Sequence, residues 1–324
     1  MKKLLRYAGV LVGLILLTAA SEVGIAQFRW DRTFTARGST LRAATDAVTI
    51  ARGRYLVYGP AKCANCHSAR DAEVALRRGD EVPLSGGREF VLPVGTFRVP
   101  NLTPDPETGI GRRTDADLVR LIRHGVRHDG RAALPFMEFQ NLADEDVVAL
   151  LSYLRSRPPV RHAVADHDFA TMGRVLTAFV IEPKGPAGTP PDHAPSGSTV
   201  ERGKYLVMNV AECASCHTKR SMLTGDYTAP LLSGGAELPD DEDSTRVLVT
   251  PNLTPDARTG RIASWTEDQF VGRFRSGRVY AGSHMPWEAF ARMSDDDLRA
   301  IYRYLRTVPA VENDPGPSSQ LKKG

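Results

Sequence analysis

Hydrophobic positions along this 324-residue chain fall into three patterns. The first is a continuous run from Tyr7 to Ala20 behind Lys2, Lys3 and Arg6. A membrane span takes ~20 apolar residues, so this run is short for one, and a basic start ahead of it suits an export signal. Small residues at Thr18 and Ala20, or at Gly24 and Ala26, offer cleavage sites. Val23 to Ala26 would instead carry the run past Glu22 into an uncleaved anchor, so residues 1–26 read as either a signal peptide or a signal anchor. Residues 27–44, with Gln27, Arg29, Asp31, Arg32 and Arg37, read as a polar spacer.

The second pattern is helix-spaced. Ala47, Ile50, Ala51, Tyr55 and Leu56 mark an amphipathic helix from about Asp46. Thr266-Glu-Asp-Gln269 is a capping box, and Thr114-Asp-Ala-Asp117 is its weaker form with Asp. The helices they open run through Leu118, Leu121 and Ile122, or Phe270 and Phe274, and stop at Gly125 and Gly277. Final helices are predicted from about Asp144 to Ser156 and Asp295 to Thr307, ended by Pro158-Pro159 and Pro309. The acidic starts of these last helices suit the positive end of the helix dipole. Gly53 and Gly203 lie inside helices, where glycine costs about 1 kcal/mol against alanine. Their presence predicts close crossing with the last helix of each unit, through Tyr153-Leu154 and Tyr304-Leu305. The third pattern is Gly/Pro-punctuated loop, as in Ser85 to Pro104, with room for a short hairpin.

These patterns are written twice. Arg52-Gly53-Arg54-Tyr55-Leu56-Val57 returns as Arg202-Gly203-Lys204-Tyr205-Leu206-Val207, and Pro100-Asn101-Leu102-Thr103-Pro104 as Pro251-Asn252-Leu253-Thr254-Pro255. Two units follow, residues 45–160 and 198–312. Residues 161–197 join them: Glu182 to Ser198 is Pro/Gly-rich and extended, while Val164 to Val180 is predicted to hold a short helix lying across both units. Residues 313–324 read as a flexible tail.

Charge excludes one class of function. Lys and Arg total 42 against 38 Asp and Glu, and without the three basic residues of the leader the balance is 39 to 38, which gives nucleic acid no electrostatic footing. Cysteine usage is more telling. All four cysteines lie in two runs, Cys63-Ala-Asn-Cys66-His67 and Cys213-Ala-Ser-Cys216-His217. Cys-x-x-Cys-His is the attachment signature of c-type haem, in which both thiols become thioethers and the histidine binds iron. A zinc ribbon would need its pairs roughly 15 to 20 residues apart, far closer than these. A thioredoxin-like pair would need a β-α-β context that is absent from the pattern. Two covalent haem c groups are therefore expected, on Cys63 and Cys66 with His67, and on Cys213 and Cys216 with His217. Units this small have thin apolar cores, and each buried macrocycle would complete one. Covalent attachment also agrees with export.

The opposite axial position decides between carrying electrons and catalysing a reaction. Met285, in Met285-Pro286-Trp287 before the final helix, is the candidate in the second unit, with His284 as its alternative. In the first unit Leu134-Pro135-Phe136 occupies that register and Met137 is displaced by three residues. Met137 is the candidate there, with His128, His124 or an open position as alternatives. Arg98, Asn101, Tyr55, Asn252, Tyr205 and Trp287 are weaker candidates for contacts with haem propionates or the haem edge.

Two Cys-x-x-Cys-His units, each with an Asn-Leu-Thr-Pro segment, a Gly-terminated helix, a methionine loop and a closing Tyr-Leu helix, resemble the exported two-domain cytochromes c. The likeness extends to the haem-carrying subunits of membrane-bound bacterial alcohol, aldehyde, gluconate and nicotinate dehydrogenases. It implies an all-α fold of two tandem class I-like cytochrome c domains, with iron held by His67 and Met137 in one and by His217 and Met285 in the other. It implies an electron carrier rather than an enzyme, periplasmic and soluble or anchored to the inner membrane, with a dehydrogenase donor and a respiratory acceptor as redox partners. The competing reading is a dihaem enzyme, a peroxidase or sulfur-compound oxidase, with one open or exchangeable haem site.

Overall fold

The computed structural model describes residues 2–221, 225–240 and 242–322. Met1 of the leader and residues 323–324 of the tail lie outside the described residues. The chain opens with a long helix, α1 (Lys2–Arg29), followed by a first domain of α2 (Ala47–Tyr58), α3 (Cys63–His67), α4 (Glu73–Arg78), a hairpin of β1 (Glu89–Leu92) and β2 (Gly95–Arg98), α5 (Asp115–His124) and α6 (Asp144–Arg155). The connection carries β3 (Asp168–Phe169) and α7 (Thr171–Phe179). The second domain repeats the plan with α8 (Val200–Tyr205), which continues as a π-helical turn over Leu206–Val210, then α9 (Cys213–Cys216), β4 (Glu237–Pro239), β5 (Arg246–Val249), α10 (Glu267–Arg275), α11 (Trp287–Phe290), α12 (Asp295–Leu305) and β6 (Ser319–Leu321).

Local chemistry sets the helix ends. Asp46 caps α2, its Oδ1 accepting from Thr49 N at 2.9 Å, and Thr114 and Thr266 form the expected capping boxes with Asp117 and Gln269. Each core centres on the crossing of first and last helix, α2 on α6 and α8 on α12. A Cβ on Gly53 would collide with the Ala149 carbonyl and Tyr153, and one on Gly203 with the Ala300 carbonyl and Tyr304. The glycines let the backbones touch, as their position in the sequence predicts.

The all-α expectation is corrected by two antiparallel sheets, β1-β2-β3 and β4-β5-β6. In each, the third strand comes from beyond the domain's last helix. Asp168 and Phe169 of the connection pair with Thr96 and Gly95. The tail, expected to be loose, pairs Ser319 to Leu321 with Leu248 to Arg246. The spacer is also ordered against domain 1, through Ala43 N to Asp115 Oδ2 at 2.8 Å and Ala44 N to Ser152 Oγ at 2.7 Å. The connecting helix α7 forms, but it packs against the end of α1 and the β1-β2 hairpin rather than across both domains.

The domains meet through a nearly two-fold set of contacts. Tyr55 Oη donates to Asp297 Oδ2 at 2.6 Å and accepts from Ser294 N at 3.1 Å, while Tyr205 Oη donates to Asp146 Oδ2 at 2.6 Å and accepts from Ala143 N at 2.9 Å. Arg52 pairs with Asp146 at 2.5 Å and Arg202 with Asp297 at 2.7 Å. Both aspartates are buried, Asp146 at 0% and Asp297 at 6% exposure. Burial, reinforced by the facing carboxylate, pushes both tyrosine hydroxyls up, so they remain donors.

Candidate haem sites

Each Cys-x-x-Cys-His run follows directly on the first helix of its domain. Lys62 and Glu212, which precede the first cysteines, adopt left-handed backbone (φ 48° and 54°), a conformation that ordinary side chains occupy only when the surroundings enforce it. They also touch: Lys62 Nζ lies 3.1 Å from Glu212 Oε2 and 3.1 Å from the Ala211 carbonyl. The two motifs therefore face one another at the domain interface.

The four cysteines are free thiols, Cys63 and Cys213 half-buried and Cys66 and Cys216 exposed. Burial pushes Cys63 and Cys213 up to about 12.

His67 and His217 are buried, and each Nδ1 lies 3.1 Å from a backbone oxygen, that of Pro100 and Pro251 respectively. A carbonyl only accepts, so Nδ1 carries the proton and Nε2 keeps its lone pair for a metal. Burial pushes His67 down to about 4 and lowers His217 as well, holding both rings neutral.

The two carbonyls are fixed by the Asn-Leu-Thr segments. Asn101 Oδ1 accepts from Thr103 N at 2.9 Å and Thr103 Oγ1 at 2.8 Å, and its Nδ2 donates to the Val160 carbonyl at 2.8 Å. Asn252 repeats all three, to Thr254 at 2.9 and 2.8 Å and to the Val311 carbonyl at 2.8 Å. Both asparagines are thus buried turn clamps that tie the proximal loop to the chain after the last helix, and neither is placed as a propionate partner. Tyr55 and Tyr205 are spent on the interface, and Arg98 pairs with Glu89 and the Asp166 carbonyl, each at 2.6 Å. Trp287 donates to Ser283 Oγ at 3.1 Å beneath the Arg273 guanidinium.

Partly buried apolar side chains pack against each core and are candidates to line a macrocycle: Leu102, Leu118, Ile122 and Phe139 in domain 1, and Leu253, Trp265, Met285 and Trp287 in domain 2. Two free thiols, one neutral imidazole with Nε2 available and these partly buried apolar side chains fit a covalently held macrocycle in each domain.

The methionines differ. Met285 is half-buried on the core, beside an exposed His284 whose Nε2 lies 2.6 Å from the Pro239 carbonyl. Met137 is 37% exposed. The next residue ties its loop to the other domain: Glu138 N donates to Glu212 Oε1 at 2.8 Å and its carboxylate pairs with Arg220 at 2.5 Å. Leu134 is half-buried, His128 exposed, and His124 lines a surface cleft with Thr35 and Arg37.

Reasoning from sequence missed Asp146 and Asp297, because an acidic first turn is explained equally well by the helix dipole. It also missed Lys62 and Glu212. Their place immediately before each first cysteine was the only available signal.

A family model for cytochrome c matches the chain twice, over residues 50–158 and 200–309. A dihaem cytochrome c-type protein of Cereibacter sphaeroides is 34% identical over 262 residues, covering 77% of this chain and 83% of that protein. The cytochrome c subunit of a quinone-dependent alcohol dehydrogenase of Gluconobacter oxydans is 32% identical over 310 residues, and that of gluconate 2-dehydrogenase of Pantoea cypripedii 31% over 290. These alignments take in 86% and 83% of this chain but only 60% and 61% of the two subunits.

Proposed function

The chain belongs to the cytochrome c family and holds two haem c groups, one per domain, and from that premise we propose that it is the electron-accepting cytochrome subunit of a membrane-associated dehydrogenase, passing single electrons to a respiratory acceptor. Its likeness to cytochrome subunits of alcohol and gluconate dehydrogenases supports such a partner. The observation that carries the reading is the duplicated histidine geometry, with Nδ1 tied to a clamped proline carbonyl, so that Nε2 keeps its lone pair, directly after two cysteines in each motif.

In this reading Cys63, Cys66, Cys213 and Cys216 form the thioethers. His67 and His217, through Nε2, and Met137 and Met285 would hold the iron. When bound, each haem supplies a one-electron Fe(III)/Fe(II) couple. The protein's own work is positional. The Nδ1 hydrogen bonds orient the imidazoles, the apolar lining excludes water, and the Lys62–Glu212 contact sets the two motifs together at the interface. No side chain acts as acid, base or nucleophile.

In this reading the chain sits at the periplasmic face of the inner membrane, with α1 as a retained anchor. Its apolar part, Arg6–Arg29, is 24 residues long, and Lys2, Lys3 and Arg6 mark the cytoplasmic end. The foot of α1 packs on the connecting helix α7: Ala26 is fully buried and Gln27 Oε1 accepts from Arg174 Nη1 at 2.7 Å.

Optical and EPR spectra of the purified oxidised and reduced protein test the assignment. Two low-spin haems, each with a sulfur-to-iron charge-transfer band lost in Met137→Ala or Met285→Ala respectively, are expected. A high-spin or carbon-monoxide-binding haem in domain 1 of the unmodified protein would remove Met137 as ligand and favour a dihaem enzyme.

A further inference from the structure

We propose that α7 is a membrane-interface helix, lying in the headgroup region of the bilayer beside the point where α1 emerges. This rests on the reading of α1 as a retained anchor.

The nine-residue α7 is built inside out. At 100° per residue, Val175, Phe179, Met172, Leu176 and Val180 fill one continuous arc, and Thr177, Arg174 and Ala178 the other. In a helix packed on a soluble core the apolar arc faces inward. Here the buried positions are Gly173 and Ala178, and Arg174 turns toward α1: it bonds Gln27, and its guanidinium lies 5.3 Å from the Trp30 ring centroid. Met172 and Phe179, two turns apart on the same stripe, are 59% and 41% exposed, and Val180 is exposed beside them. Water is a poor neighbour for such a stripe.

Continuity with the anchor identifies what covers it. Phe28 in the last turn of α1 is 88% exposed, and Trp30, its ring tilted against Phe169 at 5.5 Å between centroids, follows it in the chain. Arg29 lies over the Phe179 ring, 5.5 Å from its centroid, so the two helices share one foot. Arg32, held by Glu182 and the Ile181 carbonyl, adds a second cation at the same level. Aromatic rings, cations and an outward apolar stripe gathered where a span leaves the bilayer match the composition of the membrane–water boundary. The β1-β2 hairpin meets the start of α7, where Ala170 N donates to the Val94 carbonyl at 3.2 Å, and it contributes exposed Val91 and Leu92. The anchor is then a rigid mount for domain 1, not a tether.

The test uses the full haem-loaded chain in nanodiscs of phosphatidylcholine carrying a photoactivatable acyl chain, with labelled peptides identified by mass spectrometry. Label on residues 171–180 as well as 7–28, lost from 171–180 in the Met172→Asp, Phe179→Asp double variant while 7–28 keeps it, is the expected result. Label confined to 7–28 in the unmodified chain would overturn the proposal, leave the anchor intact, and assign the stripe to a protein partner or a second copy. A mature protein lacking residues 2–26 would sink both readings.

Discussion

At the scale of single residues, the site depends on groups that never reach the iron. Asn101 makes three hydrogen bonds that hold the Pro100 carbonyl against His67 and fasten the proximal loop to Val160. Asn101→Ala leaves Thr103 N and the Val160 carbonyl without that partner inside the protein, at a cost of roughly 2–4 kcal/mol. It also loosens the oxygen that fixes the imidazole tautomer. The expected outcome is a lower Tm by calorimetry together with a shifted potential for one haem and not the other; an unchanged potential would show that the clamp is structural only. The four cysteines and two histidines could be singled out because covalent haem attachment demands one contiguous pattern. Asn101 was noticed, but the sequence left its role open between turn chemistry and a propionate contact. A side-chain amide offers the same donors to a propionate as to a backbone turn, and only the fold shows that Val160 and Thr103 already use them.

Helices were the most readable elements and strands the least. Asp46, Thr114 and Thr266 announced helix starts because capping is satisfied within a few residues. Gly53 and Gly203 announced the crossings because nothing local rewards glycine there. Gly53→Ala separates the competing effects: alanine gains about 1 kcal/mol of helix propensity, while the added methyl meets the Ala149 backbone, which cannot step aside as a side chain would. Overpacking of this kind costs about 1–3 kcal/mol or more, so a net loss of stability is expected in chemical denaturation. A gain would mean that α2 and α6 slide apart freely. Strands β3 and β6 escaped the sequence reading since each is two or three residues long and gains its stability from a partner far away in the chain. The short connection and tail carry no pattern that distinguishes pairing from solvation. For the same reason α7 could be recognised as a helix from Phe169, Met172, Val175, Leu176 and Phe179, while its partner, the foot of α1, could not.

For the molecule as a whole, the two domains are joined by tyrosines that reach across onto carboxylates which an arginine of the carboxylate's own domain holds in place. Arg202 and Asp297 are each 9% exposed at the side chain and bidentately bonded, and Tyr55 of the other domain closes on the same carboxylate. Arg202→Met strands a buried charge and is expected to cost roughly 3–5 kcal/mol. Calorimetry should then resolve two unfolding transitions where the unmodified protein gives one, and a single transition in the variant would show that other contacts couple the domains. The repeat predicted two units, and the family model matches twice, yet the repeat gave no account of how they meet, because the tyrosine, arginine and aspartate at the interface are the same in both copies and look like duplicated background. The copies differ where it matters. Tyr, Arg and Asp appear in each half, so either half could in principle pair with itself. Lys62 and Glu212 break that symmetry: pairing like with like would set ammonium against ammonium or carboxylate against carboxylate, while pairing unlike halves sets one against the other. The covalent connection raises the effective concentration of the halves. The Lys62–Glu212 contact, with the Glu138–Arg220 pair, therefore favours unlike halves over like ones.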